Sequence, residues 1–532
     1  MAFSETTVRV REWFVTNLDK ICYKRPFEIH KEISKEFSIS ESHSKAIYFR
    51  YLAQLLENVP VKKAEEVPKF TTIEQTETFK QAAKRVFDKE KKRFIITYAQ
   101  NHTPVHKQFL ENIELYAQFL DASIHVIAGR YKNPTSVFVD HAFEDWDPIV
   151  QKYLDANRHD IHKYCSILSD VKVQPTASTP LSGLNSITGL SSCIVGHPRM
   201  HLTSLPVLKG YHTKTILTTG AVTLPNYTDS KAGKKGEFHH SFGFAIVEID
   251  GEHDDGVCHI RQVTASDDGS FHDLYFKVDK KIEIIETCQV ATLGDLHLGY
   301  HCHKSIYAAK SYLSKVVPGY TVVHDIFDGA SVNPHEMKDA FVRLRREQDG
   351  TDHLGREIDF MMKWIDRHRY LNLVVVRSNH DDFLDRWLIN TDWHKSPHKL
   401  LYLKLANIIA EGKAPKGLIP YLIDEKFSDV KTLGVNDSFR VDDIEYGMHG
   451  DRGANGSRGS ITQFKSLNTK CNTGHSHSDA RCDGHFQVGC MTVDMEYAKG
   501  LSSWTRSMVI THNDGKRQHI RFLDGRFTTI KI

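Results

Sequence analysis

Asp295-Leu296-His297 closes the apolar run of QVATLGDLHLG. Side chains two apart on extended backbone point the same way, so this carboxylate and imidazole can reach one metal ion. YTVVHDIFDG repeats the layout, a β-rich run ending at Asp325 with Asp328 three further on. NLVVVRSNHDD ends in Asn379-His380-Asp381, which offers an amide oxygen, an imidazole and a carboxylate in sequence. DIEYGMHGD ends at His449, and TKCNTGHSHSD presents His475 and His477 two apart. Each piece alone arises by chance in a chain with 32 His. Five apolar runs that deposit Asp, Asn or His at their ends, in one order, are a specific signal for a metal site of mixed oxygen and imidazole ligands.

The elements that must position these residues are strand ends in an α/β (α+β) chain. Upstream, RFIITYA, HKQFLENIELYAQFL and SIHVIAG alternate β-rich, amphipathic and β-rich patterns, which predicts a β-α-β unit and a parallel sheet. EFHHSFGFAIVEID and CHIRQV predict further strands. Between them the chain is dense in turn formers: YKNPTS, QPTASTPLSG, GHPRM and TTGAVTLPNYTDSKAGKKGEFHHSFG. The last is expected as a basic loop in which Lys231, Lys234 and Lys235, with nearby glycines, either hold phosphate or are simply solvated. Residues 1 to about 65 show apolar spacing of three and four, predicting three short helices, the third capped by Ser40 or Ser42. They resemble a helix-turn-helix, but a packing or dimerisation cap is the preferred reading. A Pro- and Glu-containing connector runs from Val61 to Phe70. The expected division is a helical domain over 1–68, an α/β middle domain over 69–285 and the metal-ligand domain over 286–532.

Composition narrows the function classes. Lys and Arg total 69 against 67 Asp and Glu, so nucleic-acid binding, if any, must be local rather than a bulk charge effect. Nine Cys without a CxxC pair suggest neither a zinc ribbon nor a complete disulfide framework, and fit a reducing cytoplasm. Neither a signal-peptide pattern nor a long apolar run is present, so a membrane protein is not expected.

Taken in order, DxH, then the D-x-x-D of HDIFD, then NHD, an isolated His and GHSH, the region resembles the calcineurin-like metallophosphoesterase family, built as a two-sheet sandwich flanked by helices. His324 and Ser378 stand where that family carries glycine, which bears on loop shape and removes no ligand. The resemblance implies two divalent ions, Asp295, His297, Asp325 and His477 on the first and Asp325, Asn379, His449 and His475 on the second. It also implies His380 near the scissile phosphate, oriented by Asp381. Manganese suits this donor set first, with Mg, Zn or Fe as alternatives. Phosphodiester hydrolysis needs a hydroxide at neutral pH and a way to hold transition-state charge, and two adjacent cations supply both.

Arg452 and Arg458, in a Gly- and Ser-containing loop, could clamp phosphate, with Lys234 and Lys235 as further substrate contacts. The stretch EMKDAFVRLRREQ, with Arg343, Arg345 and Arg346, either tracks a nucleic-acid backbone or is a solvated helix face. The middle-region phrases also resemble a family of host-DNA-degrading nucleases of T-five-like bacteriophages. That resemblance implies a DNA substrate and the host cytoplasm as the place of action, while the amount of chain outside the catalytic region points to a homo-oligomer. The alternatives are a phosphomonoesterase or small-nucleotide phosphodiesterase, and a DNA-transfer or assembly protein with a residual metal site.

Overall fold

The structure, a computed structural model, describes residues 5–17, 26–48, 77–88, 90–130, 145–252, 256–336, 338–467, 469–495 and 498–531. The chain divides into two compact units, Met1–Glu74 and Gln75–Ile532. In the first, helices Glu5–Thr16, Pro26–Glu36 and Glu41–Ile47 bury Val10 and Phe14, four apart on one helix, with Ile29 and Ile33 of the next and Ile47 of the third. Ser40 caps the third helix, its Oγ accepting from the His43 amide at 3.2 Å. The predicted continuation of that helix past 48, the 61–70 connector and YKNPTS lie outside the described residues.

The second unit is mixed α/β, as the alternation of patterns predicts. Strands Arg93–Gln100 and Ser123–Gly129 pair in parallel across the helix Lys107–Leu120, which is the expected β-α-β unit. Gly243–Asp250 and Val257–Thr264 extend the same five-stranded sheet on its other side.

A six-stranded sheet carries the chemistry. Thr287–Leu293, Val317–Val323, Leu373–Val376 and Lys431–Leu433 run parallel, and Ser507–Thr511 and Arg517–Arg521 add antiparallel strands at the other edge. Alternation along these strands separates two buried faces. Ala291, Leu293, Val323, Leu373 and Val375 meet a helical layer through residues such as Tyr312, Ile365 and Leu384. Val290, Val322, Val374 and Val376 meet Ile444 and Tyr446, on and beside a second, ten-stranded sheet. Polar contacts tie the two sheets as well: Asn472 donates to the Thr292 hydroxyl at 3.0 Å, and Arg517 to the Cys471 carbonyl at 3.0 Å.

The ten-stranded sheet takes strands from both sides of position 285. His201–Leu205 pairs antiparallel with Ala480–Cys482, joining five strands of 158–218 to five of 440–487. The segments 69–285 and 286–532 therefore share one sheet, and an edge that either would expose alone is closed by the other.

Candidate metal centre

Three parallel strands deliver their ligands at one edge, the carboxyl ends where open α/β sheets place their sites. Thr287–Leu293 leads to Asp295 and His297, Val317–Val323 to Asp325, and Leu373–Val376 to Asn379. From the facing sheet, Ile444–Glu445 leads to His449, and Lys470–Thr473 to His475 and His477. The loops are bonded to one another: the His297 amide donates to the Asp325 carbonyl at 2.7 Å and the Gly474 amide to the His449 carbonyl at 2.7 Å. His297, Asp325, His475 and His477 all hold left-handed backbone, with φ of 43°, 45°, 73° and 56°. Such backbone is costly for non-glycine residues, and its concentration on four of the seven candidate ligands marks a site whose surroundings impose it.

The seven side chains converge. Asp295, His297, Asp325 and His477, all buried, present ligand atoms within 4.8 Å of one another. The Asp325 Oδ2 lies 3.3 Å from His297 Nε2 and 3.3 Å from His449 Nε2, so one carboxylate oxygen belongs to two groups. Asn379 Oδ1 completes the second group, 3.1 Å from His449 Nε2 and 3.0 Å from His475 Nδ1. In the first group, His297 Nε2 and His477 Nε2 stand 3.0 Å apart. Both oxygens of Asp295 are buried without a hydrogen-bond partner. Burial, and then the Asp325 charge, push the Asp295 carboxyl up to about 7. A buried carboxylate whose Oδ2 lies 3.3 Å from the His477 Nε2, beside two imidazole nitrogens in contact, is an arrangement that a cation completes. The His and Asp groups could hold a metal ion.

Asp328 orders the first group from behind. His297 Nδ1–H donates to its Oδ1 at 2.9 Å, fixing the tautomer that leaves Nε2 as the ligand atom. Glu357 in turn accepts from the Ala330 amide at 2.8 Å and the Ser331 hydroxyl at 2.6 Å, holding the loop after Asp328. His475 is lowered to about 4 by burial, so it is neutral and ready to ligate. Burial also opposes charge on His449, but Asp325 overrides it and raises this imidazole to about 9.

His380 stands at the rim, its ring centroid 4.4 Å from that of His297. Its Nδ1–H donates to the Asp328 carbonyl at 2.7 Å, and burial lowers its proton affinity. The expected orientation of His380 by Asp381 is not what the fold provides. The Asp381 carboxylate accepts from the Ser378 amide at 2.9 Å, and the Ser378 hydroxyl accepts from the Asp381 amide at 3.3 Å. This reciprocal turn, to which Ser378 gives its main-chain amide and its hydroxyl, faces Asp381 to the backbone, and the Asp328 carbonyl takes the role at His380. The other departure, His324, lies buried beside His449 with ring centroids 5.5 Å apart.

The remaining sequence candidates are placed unevenly. Arg452 is bound to Asp382 at 2.8 Å and to Asp451 at 3.4 Å, while Arg458, bridged to it across the loop, is close enough to His475 to lower its proton affinity. Lys234 and Lys235 lie on a helix, Lys231–Phe238, not in the expected loop. Ser230 takes the Gly233 and Lys234 amides at the helix's start, and Lys234 pairs with Asp229 at 3.0 Å and Glu237 at 3.1 Å. The segment Ala340–Asp349 is helical, as expected, and exposed. Its Arg345 and Arg346 line a cleft of about 220 Å³ that begins at His380 and Asp328. Sequence reasoning left three neighbours unassigned. Asp328 was visible as the second Asp of its motif, whereas Trp504, whose ring stands edge-on 4.3 Å from His477, and Glu357 carry no local signal.

Fold and cluster together define an α/β protein with a buried His and Asp centre of metal-ligand type. Protein A1 of Escherichia phage T5 is 32% identical to this chain over 481 residues, covering 82% of the chain and 83% of that protein. The chain belongs to the family of this phage protein. No family model matches the sequence, and no solved structure matches the fold. Among the described residues no helix is long and apolar enough to cross a membrane.

Proposed function

We propose that the chain is a two-metal phosphoesterase of the calcineurin-like class that hydrolyses DNA, a phage enzyme acting on host DNA in the host cytoplasm. The observation that carries this reading is the single Asp325 oxygen 3.3 Å from both His297 and His449, which makes one carboxylate the bridge between two ligand groups. Manganese is the first choice for a set of carboxylate, amide and imidazole donors without thiolate, with Mg, Zn or Fe as alternatives. When bound, two such ions supply an activated water and neutralise the charge that develops on the phosphoryl oxygens.

The chain's own residues do the rest. Asp295, His297, Asp325 and His477 form one cage, and Asp325, Asn379, His449 and His475 the other. Asp328 holds the His297 tautomer through its carboxylate and the His380 tautomer through its carbonyl, so His380 keeps Nε2 for the phosphate or the leaving oxygen. Arg458 supplies positive charge beside the centre for the flanking backbone, whereas in the cleft Arg346 is paired with Glu336 and Arg345 stands among Asp328, Glu336 and Asp349. The relative's phage origin supports the biological setting, and the intact ligand set supports activity over a residual site.

The test is degradation of linear and circular double-stranded DNA with Mn, Mg or chelator, comparing the wild type with His380→Ala and Asp325→Ala. Metal-dependent loss of DNA that both substitutions abolish is expected. Intact DNA under every condition, together with turnover of a small phosphoester, would make the protein a phosphatase instead.

A further inference from the structure

A second cavity, of about 640 Å³, opens at the seam where the hairpin Ala480–Gln487 meets the strand His201–Leu205. Lys470 on its wall begins the strand that ends in the metal-type centre. At about 3.3 Å per residue the two sites lie on the order of 15 Å apart. The walls carry seven Lys and Arg against two Asp.

Arg481 decides what such a wall can hold. It is 7% exposed, its Nε has no hydrogen-bond partner, and among the described residues no carboxylate lies within salt-bridge distance of it. Its guanidinium lies over the Phe486 ring at 4.7 Å, and Arg517 lies over the same ring at 4.2 Å. Arg517 is already spent on the Cys471 and Gly484 carbonyls and the Asn472 amide oxygen. A buried guanidinium beside a second one is expensive unless an anion offsets it.

Asp483 provides that offset only in part and from beyond salt-bridge distance. It already faces Lys465 at 3.2 Å, Arg199 at 3.5 Å, His201 at 3.2 Å and His239 at 3.5 Å. His201, Cys482 and Asp483 could together approach a metal ion, but the two permanent cations on the same carboxylate oppose one. At the rim Phe238 is 74% exposed, an aromatic face of the kind on which a base stacks beside a basic groove.

We propose that this cavity binds a backbone phosphate of a polynucleotide strand, an anchoring site separate from the scissile position. The charge and burial call for an oxyanion by themselves, and only the identity of the strand rests on the DNA reading above.

The experiment uses the full-length protein in chelator, so that no strand is cut, and measures anisotropy of a labelled oligonucleotide as a function of salt, with inorganic phosphate as a separate titrant. Arg481→Met and Lys465→Gln are compared with wild type, the second because its side chain is partly exposed and Asp483, which it faces at 3.2 Å, keeps Arg199 and His201 as partners. Roughly tenfold weaker oligonucleotide binding is expected in each. The slope of log affinity against log salt should also fall by about one for each lost cation, with turnover of a small phosphodiester unchanged when metal is restored. Unaltered affinity and slope in Lys465→Gln, or in a folded Arg481→Met, overturn the proposal. Arg481-dependent binding of inorganic phosphate without any change in oligonucleotide binding also overturns it, in favour of a small-phosphate site. Should wild type bind the strand through these residues yet never cut DNA, the nuclease reading fails and the anchoring site stands.

Discussion

The Oδ1 of Asp328 lies 2.9 Å from the Nδ1 of His297 while its main-chain carbonyl lies 2.7 Å from the Nδ1 of His380. One residue thus fixes the tautomers of a candidate metal ligand and a candidate proton donor. Its side chain and main chain can be separated by mutation. Asp328→Asn keeps the carbonyl that holds His380 and acts chiefly on His297, since the carboxylate lies 3.7 Å from the His380 Nδ1, beyond a hydrogen bond, so metal affinity should fall about 10- to 100-fold with the fold intact. Calorimetric Mn titration of the two proteins measures it, and equal affinities would remove Asp328 from the ordering of the centre.

Gly474 sits against Asp295 so closely that a Cβ built on it would fall 2.2 Å from the Asp295 Oδ1 and 3.0 Å from the His324 ring. Neither neighbour can retreat, since both are buried. Gly474→Ala should therefore displace the Asp295 carboxylate and weaken metal binding roughly tenfold or more, with the far-ultraviolet circular dichroism retained. Full metal content in this variant would show that the loop yields instead.

His380 packs its ring 4.4 Å from that of His297 but is not one of the seven residues of the two cages, so its removal should leave the cages filled. His380→Ala is expected to lower kcat by about 10²- to 10⁴-fold with unchanged metal content by elemental analysis. Loss of metal along with activity would make it a ligand rather than a proton donor or electrostatic stabiliser.

The ligand pattern was legible because each piece is local: an apolar strand, then a polar residue at its end. The β-α-β unit over 93–129 was legible for the same reason, its periods changing from two to three or four and back. What failed depends on distant contacts. The pairing of His201–Leu205 with Ala480–Cys482 joins segments far apart in sequence, and only the finished sheet shows that each needs the other's edge. Lys231–Phe238 has two glycines and reads as a loop, yet it is a helix because it packs close. A Cβ on Gly233 would fall 1.9 Å from the Thr228 carbonyl oxygen, so the glycine serves contact rather than a turn. The exchange of Asp381 for Asp328 at His380 goes with the reciprocal bonds between Ser378 and Asp381, which no motif records.

Away from the centre, the buried Arg261 guanidinium binds Glu248 and takes Asp273 at 2.6 and 2.7 Å, while Glu248 also receives the Thr529 amide and hydroxyl at 2.6 Å each. This network ties the C-terminal segment to the five-stranded sheet. Burial alone would raise the Glu248 carboxyl, but Arg261 and Thr529 outweigh it and bring it down to about 2. A folded value below the unfolded one of about 4.3 means the stabilisation is fully present above that pH and is lost as pH falls toward 2. Glu248→Gln leaves Arg261 short of one of its two carboxylates and should cost about 3–5 kcal/mol near neutrality. The gap to wild type should narrow as pH drops through that window. Urea unfolding of both proteins across the acid range gives the answer: a gap independent of pH would mean that Glu248 acts through its shape and hydrogen bonds and not through its charge.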